Sequence, residues 1–211
     1  PPGRTNRFLS FLEVVRHDRP FRRFQFFQFW LGVANLAAMP MIAVYAREEL
    51  ALDVDLAVLV VSWGVFEQAA ALVSVRFHGR LHDRIGVVRH RVVTSVFMAA
   101  GFIVWAFSGS LGTAAVAGIL IGLGRAGGQI IWMIGSLAFA PSGRESEYAG
   151  VHTFLTGVRG ILAPLGGLWF LEATGFDYTL FFLVVSALIL TSALGNALFV
   201  REPAVAPGPV S

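Results

Sequence analysis

Residues 79–91 read GRLHDRIGVVRHR, and this stretch decides the fold. It is the one strongly polar run deep inside an otherwise apolar sequence, and apolar segments of membrane length flank it on both sides. Five of the sixteen arginines fall between Arg76 and Arg91. Because positively charged connections stay on the cytoplasmic side of a membrane, we expect this stretch to lie at the cytoplasmic face.

The composition indicates a protein embedded in lipid. Of 211 residues, 56% are hydrophobic and only 14% are charged, and the mean hydropathy is +0.71. Soluble domains carry about 25% charged residues. The net charge of +3 comes from arginines at the ends of apolar segments, which favours lipid headgroups over nucleic acid as partners. The chain contains no cysteine, so disulfides are excluded.

Six apolar segments are long enough to cross a membrane, for which about 20 residues are needed. Unpaired backbone groups are not tolerated in lipid, so these segments must be helices, and we predict an all-α membrane protein with six transmembrane helices. The predicted spans are 24–45, 56–77, 92–111, 113–140, 148–171 and 178–200. Pro40 is expected to kink or end the first span.

The ends of the chain are polar. Residues 1–23 form a basic arm, in which 8–17 are either a short interfacial helix or a plain linker. Residues 201–211 are rich in Pro and Ala and are expected to be a disordered tail. Thirteen arginines fall on the side of the two ends and of residues 79–91, against Arg47 alone on the other side. This asymmetry predicts a multi-pass protein of the cell membrane with both termini in the cytoplasm.

The spacing within residues 79–91 is more specific than its charge. The pattern G-x-L-x-D-R-x-G-x-x-R resembles the signature of the loop between the second and third helices in a half of the major facilitator superfamily of transporters. Its members here are Gly79, Leu81, Asp83, Arg84, Gly86 and Arg89. The resemblance implies a conformational loop in which Asp83 and Arg84 bond neighbouring helix ends. The alternative is a solvated basic loop that only sets the orientation.

Two further runs are similar to motifs of the same superfamily. The run 160–167 resembles the Gly-Pro motif of the fifth helix through Gly160, Pro164, Gly166 and Gly167, although Ala163 stands where Gly is usual. The run 125–129 is similar to the fourth-helix Arg motif, with Gln and Gly exchanged. That exchange departs from the pattern to which a proton-transfer role is linked.

The resemblance implies a fold and an activity. A facilitator half consists of two inverted three-helix repeats, and a complete transporter has twelve helices that move a small solute by alternating access. The chain therefore resembles one half. The long basic arm and the Pro-rich tail favour the C-terminal half. Its expected partner is an N-terminal six-helix half or a second copy of the chain.

Three charged residues fall near the middle of predicted spans: Glu67, Arg125 and Arg159. Arg159 lies about 16 Å in from Tyr148, at ~1.5 Å per residue. A lone charge at that depth costs about 3 kcal/mol, so these groups must face each other or a water-filled cavity. The surplus positive charge favours an anionic substrate. The candidate pathway residues, which include polar neighbours of these three, are Glu67, Arg125, Gln129, Arg159, Asn35 and Thr156.

The inverted-repeat relation places Glu67 and Arg159 at nearly equal depth on corresponding helices, so we expect an ion pair between them. Helical phasing supports a polar face on the fifth span, because His152, Thr156 and Arg159 recur at one helical spacing. The alternative is that Glu67 pairs with an arginine only to hold helices together.

The sequence favours half of a secondary transporter for a small anionic or amphipathic solute, with proton coupling through Glu67 as an option. A six-helix channel or a structural subunit of a larger complex is the alternative, although a channel would carry polar residues along a whole helix. A membrane enzyme ranks last, because the sequence has no H-E-x-x-H motif, no serine nucleophile elbow and no G-x-x-x-x-G-K-[ST] loop. We therefore expect no enzymatic activity, no cofactor and no metal.

Overall fold

The computed structural model describes residues 13–50 and 55–203, and these residues are almost entirely helical. Residues 13–17 are helical as well and precede the first long helix. The long helices, with two short elements between them, are α1 (Arg19–Tyr45), a π turn (Ala46–Leu50), α2 (Leu56–Ala106), α3 (Leu111–Ile134), a 3-10 turn (Leu137–Phe139), α4 (Glu145–Ala173) and α5 (Tyr178–Phe199).

All five long helices are apolar enough to cross a membrane. In α2 the stretch that is apolar enough to cross a membrane runs from Trp63 to Ala106, which is 44 residues. The described part of the chain contains no strand. The prediction of an all-α protein is confirmed, and the apolar helices are those of a multi-pass membrane protein.

The longest helix, α2, turns back on itself at Gly86. A straight helix of 51 residues would be about 76 Å long, more than twice the ~30 Å hydrocarbon core. Gly86 instead has the non-helical angles φ 82° and ψ 176°. The rings of Trp63 and Trp105 lie 5.9 Å apart although they belong to opposite ends of α2. The two arms, residues 56–85 and 87–106, therefore lie side by side and antiparallel.

The expectation that residues 79–91 form a loop is wrong. These residues are helical on both sides of Gly86, because one glycine in a backbone region closed to other residues is enough to reverse the chain. Val87 and Val88 are buried immediately after the turn. The helices continue past the predicted span ends at 77 and 92 as far as the turn, and the bounds of the membrane spans stay a prediction.

The remaining bounds differ from the prediction by a few residues. Asp18 caps α1, accepting a hydrogen bond from the Phe21 backbone N–H at 2.9 Å, so the end of the predicted basic arm belongs to the helix. Pro40 lies inside α1 and does not end it. The helix α3 stops at Ile134, six residues before the predicted end. Residues 1–12 and 204–211 lie outside the described part, so the arm and the tail are described only in part.

Small residues let α3 approach both arms of α2. A Cβ at Gly118 would lie 2.7 Å from the Trp63 carbonyl oxygen, and one at Gly124 would lie 2.7 Å from the Thr94 carbonyl oxygen. The backbone of Glu67 presses on Gly122 in the same way. These glycines place the α3 backbone directly against its neighbours, as small residues do in membrane helix pairs.

The other helices pair through small residues and through hydrogen bonds from serine side chains to backbone carbonyls. Ser192 of α5 donates to the Phe27 carbonyl of α1 at 2.6 Å, and Ser186 of α5 donates to the Ala99 carbonyl of α2 at 3.2 Å. Gly167 of α4 packs on Ala37 of α1. The pairs are therefore α1 with α4, α1 with α5, α3 with both arms of α2, and α5 with the second arm.

Two apolar clusters form the core of the bundle. One surrounds Ile42, Trp105 and Phe182, near the connections that follow α1, α2 and α4. The other surrounds Phe21 and Phe139, near the Gly86 turn and the start of α4.

Candidate functional site

A cavity of about 340 Å³ lies between α1, the second arm of α2, α3 and α4. Its wall combines charged and amide side chains with apolar ones. The lining residues are Gln28, Leu31, Gly32, Asn35, Leu36, Arg91, Met98, Arg125, Gly128, Gln129, Trp132, Thr156 and Arg159. Five of the six predicted pathway residues are among them, and the sixth, Glu67, reaches the wall through Arg125.

Glu67 pairs with Arg125. The Glu67 Oε1 lies 3.1 Å from Nη1 of Arg125, and the Trp63 indole N–H donates to Oε2 at 3.2 Å. The Glu67 side chain is 4% exposed, whereas that of Arg125 is 37% exposed within the chain. The carboxylate is thus held inside the bundle, and the guanidinium spans the distance from it to the cavity.

The expected ion pair between Glu67 and Arg159 is wrong. The Gly122 contact puts α3, rather than α4, beside Glu67, so the cation within reach of Glu67 is Arg125. The prediction compared the depth of residues along their helices, and depth does not determine which helix lies alongside.

Arg159 is held by α1 and by its own helix instead. Nη1 donates to the Gln28 carbonyl at 2.7 Å, and Nη2 donates to the Thr156 hydroxyl at 3.1 Å. Gly32 supplies the space for the guanidinium. Within the described residues Nε of Arg159 has no hydrogen-bond partner and no carboxylate forms an ion pair with it, so its charge remains available to the cavity.

Arg91 is a site residue that the sequence reasoning missed. It is 3% exposed, lines the cavity, and donates from Nη2 to the Gly128 carbonyl at 3.4 Å. Among the described residues no carboxylate pairs with it. A helical spacing of seven residues puts Arg91 on the face of Met98, which also lines the cavity. That periodicity could identify Arg91 from the sequence, but the run of arginines before Arg91 indicates a connecting loop instead.

The cavity therefore has a surplus of positive charge. Arg91, Arg125 and Arg159 line it, and Glu67 balances only one of them. Two unbalanced guanidinium groups in a low-dielectric wall attract an anion, and planar guanidinium groups suit carboxylate and phosphate oxygens. The amides of Gln28, Asn35 and Gln129 add hydrogen-bond donors and acceptors.

The signature residues cluster at the Gly86 turn. The Glu202 carboxylate accepts a hydrogen bond from the Arg89 backbone N–H at 2.8 Å and occupies the place of a Cβ on Gly86. Asp83 and Arg84 are exposed. In the described part of the chain they make no such bond, so the predicted contact with helix ends is made by Glu202 instead. Gly79 has open space around it and Leu81 is half-buried.

The predicted packing motif of α4 is used only in part. Gly167 contacts Ala37, whereas Gly160 and Gly166 face open space, and Pro164 lies inside α4. The face with the free glycines also exposes Leu165. Within this chain, then, one member of the motif brings two helices together.

No protein-family model and no curated protein matches this chain. Over residues 13–50 and 55–203 the fold defines the class: an all-α protein with five helices long and apolar enough to cross a membrane.

Proposed function

We propose that the chain is one half of a secondary active transporter of the major facilitator type, and that it moves a small anionic solute by alternating access. The observation that carries this proposal is the cavity lined by three arginines, of which Arg125, paired with Glu67, and Arg159 lie near the middle of their helices. Charged groups at such depth are expensive, and they mark substrate or ion pathways when they face a cavity.

The packing supports six crossings of the cell membrane. Each arm of α2 has the length of one span, and the reversal at Gly86 gives two crossings. With both arms counted, the chain has two sets of three helices. The contact of α1 with α4 and the contact of α3 with the first arm would correspond to each other under an inverted repeat of three helices. This correspondence supports the proposed transporter fold. In this arrangement both termini and the Gly86 turn lie on the cytoplasmic side.

The cavity needs a second wall. The helix α4 is the least buried of the five, because only 22% of its apolar membrane-length stretch is buried. It exposes Ile161, Leu165 and Trp169. A partner half, or a second copy of the chain, placed on this face completes the enclosure of the site. Glu67 is the group that couples transport to protons, because its neutral form releases Arg125 to the substrate.

Exchange in proteoliposomes tests the proposal. Purified protein is reconstituted, and counterflow of radiolabelled succinate, inorganic phosphate and benzoate is compared with that of alanine. Calorimetry with the same anions measures binding in detergent, which does not depend on the second wall. We expect at least one anion to bind and exchange, and Arg91→Gln and Arg159→Gln to weaken its binding at least tenfold.

Arg201→Gln is the matched control, because Arg201 is an exposed arginine outside the cavity. Anion binding that is absent, or that is equally strong in all three variants, contradicts the proposal. Anion currents with unitary conductance steps would favour the channel instead.

A further inference from the structure

Three histidines of α2 form a continuous row beside the Gly86 turn, where the chain reverses. Nδ1 of His78 lies 3.0 Å from Nε2 of His90, and Nδ1 of His90 lies 3.2 Å from Nδ1 of His82. His78 and His82 are one turn apart on the first arm, and His90 lies on the second. The row thus joins the two arms on either side of Gly86.

The row is enclosed by protein. His78 is 1% exposed and His90 is fully buried, while His82 at the end of the row is half-buried. A Cβ at Gly127 of α3 would lie 2.5 Å from Nδ1 of His78 and 2.7 Å from Nε2 of His90. The glycine therefore lets α3 pack directly over this hydrogen bond.

The hydrogen-bonding capacity of the three rings limits how many protons the row can hold. A neutral imidazole has one N–H donor and one acceptor nitrogen. His90 uses both nitrogens, so when neutral it donates to one neighbour and accepts from the other. One additional proton is accommodated at the half-exposed end, on His82. Two additional protons would place two cationic rings within hydrogen-bond distance, where they repel each other.

The surrounding charges also limit the row to one proton. Arg91, next to His90 on the second arm, adds positive charge. The helix α3 contributes Gly127 and the backbone of Leu123. Asp83 and Arg84 follow His82 and are exposed to solvent. None of the three histidines lines the arginine cavity.

We propose that His78, His82 and His90 form one proton-binding site, which holds a single shared proton and through it sets the packing of the two arms of α2 against α3. The proton enters at His82 and orients the hydrogen bonds of the whole row. The histidines themselves do not line the arginine cavity, so the site is distinct from the proposed anion site, although Arg91 adjoins both.

Histidine-selective NMR tests the shared proton. The chain has only five histidines, so protein labelled with 15N-histidine in lipid nanodiscs gives five ring systems. We expect scalar coupling between ring nitrogens across the two hydrogen bonds. Between pH 8 and pH 5 the three rings should change together and take up one proton in total. Three rings that titrate separately, without coupling between them, overturn the proposal.

Two variants and a control sharpen the test. His90→Phe should remove both couplings and let His78 and His82 titrate separately. If this variant does not fold, His82→Gln carries the test, because His82 is half-buried: the proton uptake should disappear while the coupling between His78 and His90 remains. Uptake that persists in His82→Gln overturns the proposal. His17→Gln, outside the row, should leave the row unchanged.

Spin labels measure the consequence for packing. The chain lacks cysteine, so spin labels can be attached selectively at Arg80→Cys on the first arm and at Met133→Cys on α3. Both native side chains are exposed. The distance between them should change between pH 8 and pH 5 and should not change when His82→Gln is added. A distance that is independent of pH in the native row overturns the coupling to packing.

Discussion

Gly86 has φ 82° and ψ 176°, a region essentially closed to residues with a side chain, where strain is about 1–3 kcal/mol. The Glu202 carboxylate also occupies the place of a Cβ there. We therefore expect Gly86→Ala to lower the free energy of unfolding by about 2 kcal/mol or more, measured by denaturant titration in detergent micelles.

Gly79→Ala is the control for this prediction. Gly79 belongs to the same signature but lies in a regular helix with nothing within 4 Å of its Cβ position. Alanine there should be neutral or stabilise by up to ~1 kcal/mol, because alanine favours the helix over glycine. Equal effects at the two glycines would mean that the turn does not depend on Gly86.

The Glu67–Arg125 pair gives a second prediction at this scale. Glu67→Gln leaves Arg125 without a counter-charge, and removal of one partner of a buried pair costs about 3–5 kcal/mol. Because Arg125 is 37% exposed, we expect a smaller loss of about 1–3 kcal/mol. The double variant with Arg125→Gln should recover part of it, as a double-mutant cycle of unfolding will measure.

The Arg144–Glu147 pair provides the comparison. Nη2 of Arg144 lies 2.6 Å from Oε2 of Glu147 near the surface, and the hydrogen bond that Arg144 donates to Glu147 raises the pKa of Arg144. The same cycle there should give a coupling of under about 1 kcal/mol. A coupling at Glu67 no larger than at Glu147 would show that the buried pair adds no specific interaction.

At the level of single residues, the sequence identifies which charges must avoid lipid but not their partners. Glu67, Arg125 and Arg159 follow from the cost of a charge in the hydrocarbon. The choice of Arg125 by Glu67 depends on the contact at Gly122, which is a property of two packed helices. Arg91 follows a run of arginines and therefore looked like part of their loop.

At the level of helices, the close approach of α3 to α2 is the feature most open to test. Gly122 lies against the Glu67 backbone, so Gly122→Val must push α3 away. We expect a loss of about 1–3 kcal/mol or more in the free energy of unfolding, with a weaker Glu67–Arg125 coupling. Unfolding monitored by circular dichroism in micelles measures the loss.

Gly160→Val is the matched helix variant, because Gly160 faces open space on α4. It should change the stability of the isolated chain by less than about 1 kcal/mol. An effect as large as that of Gly122→Val would contradict the packing described for α3 and α4.

The helices themselves are largely predictable from apolar length, and their ends are predictable except around residues 79–91, at the start of α1 and at the end of α3. The bounds of α4 and α5 lie within three residues of the predicted spans. Residues 79–91 were expected to be a loop because they are polar, but His78 and His90 bond each other inside the bundle and the helices continue to the turn. Polarity alone does not distinguish a solvated loop from a helix whose polar groups are paired.

At the level of the whole molecule, the proposed topology places the Gly86 turn and the α2–α3 connection on opposite sides of the membrane. Single cysteines at Arg84→Cys and Ser110→Cys report the two sides, since both residues are exposed and the chain has no native cysteine. In intact cells a membrane-impermeant maleimide should label Ser110→Cys, and should label Arg84→Cys only after permeabilisation. Labelling of both positions from one side would exclude the six-crossing arrangement.

The most direct measurement of the central claim, a positively charged cavity open to water, uses a cysteine at Gln129, which lines the cavity on α3. Its rates of reaction with the negatively charged sulfonatoethyl and the positively charged trimethylammonioethyl methanethiosulfonates are compared with those at Ser110→Cys. The account predicts that the negative reagent reacts several-fold faster at position 129 and that Arg159→Gln removes much of this preference. No reaction at position 129, or faster reaction with the positive reagent, would contradict it.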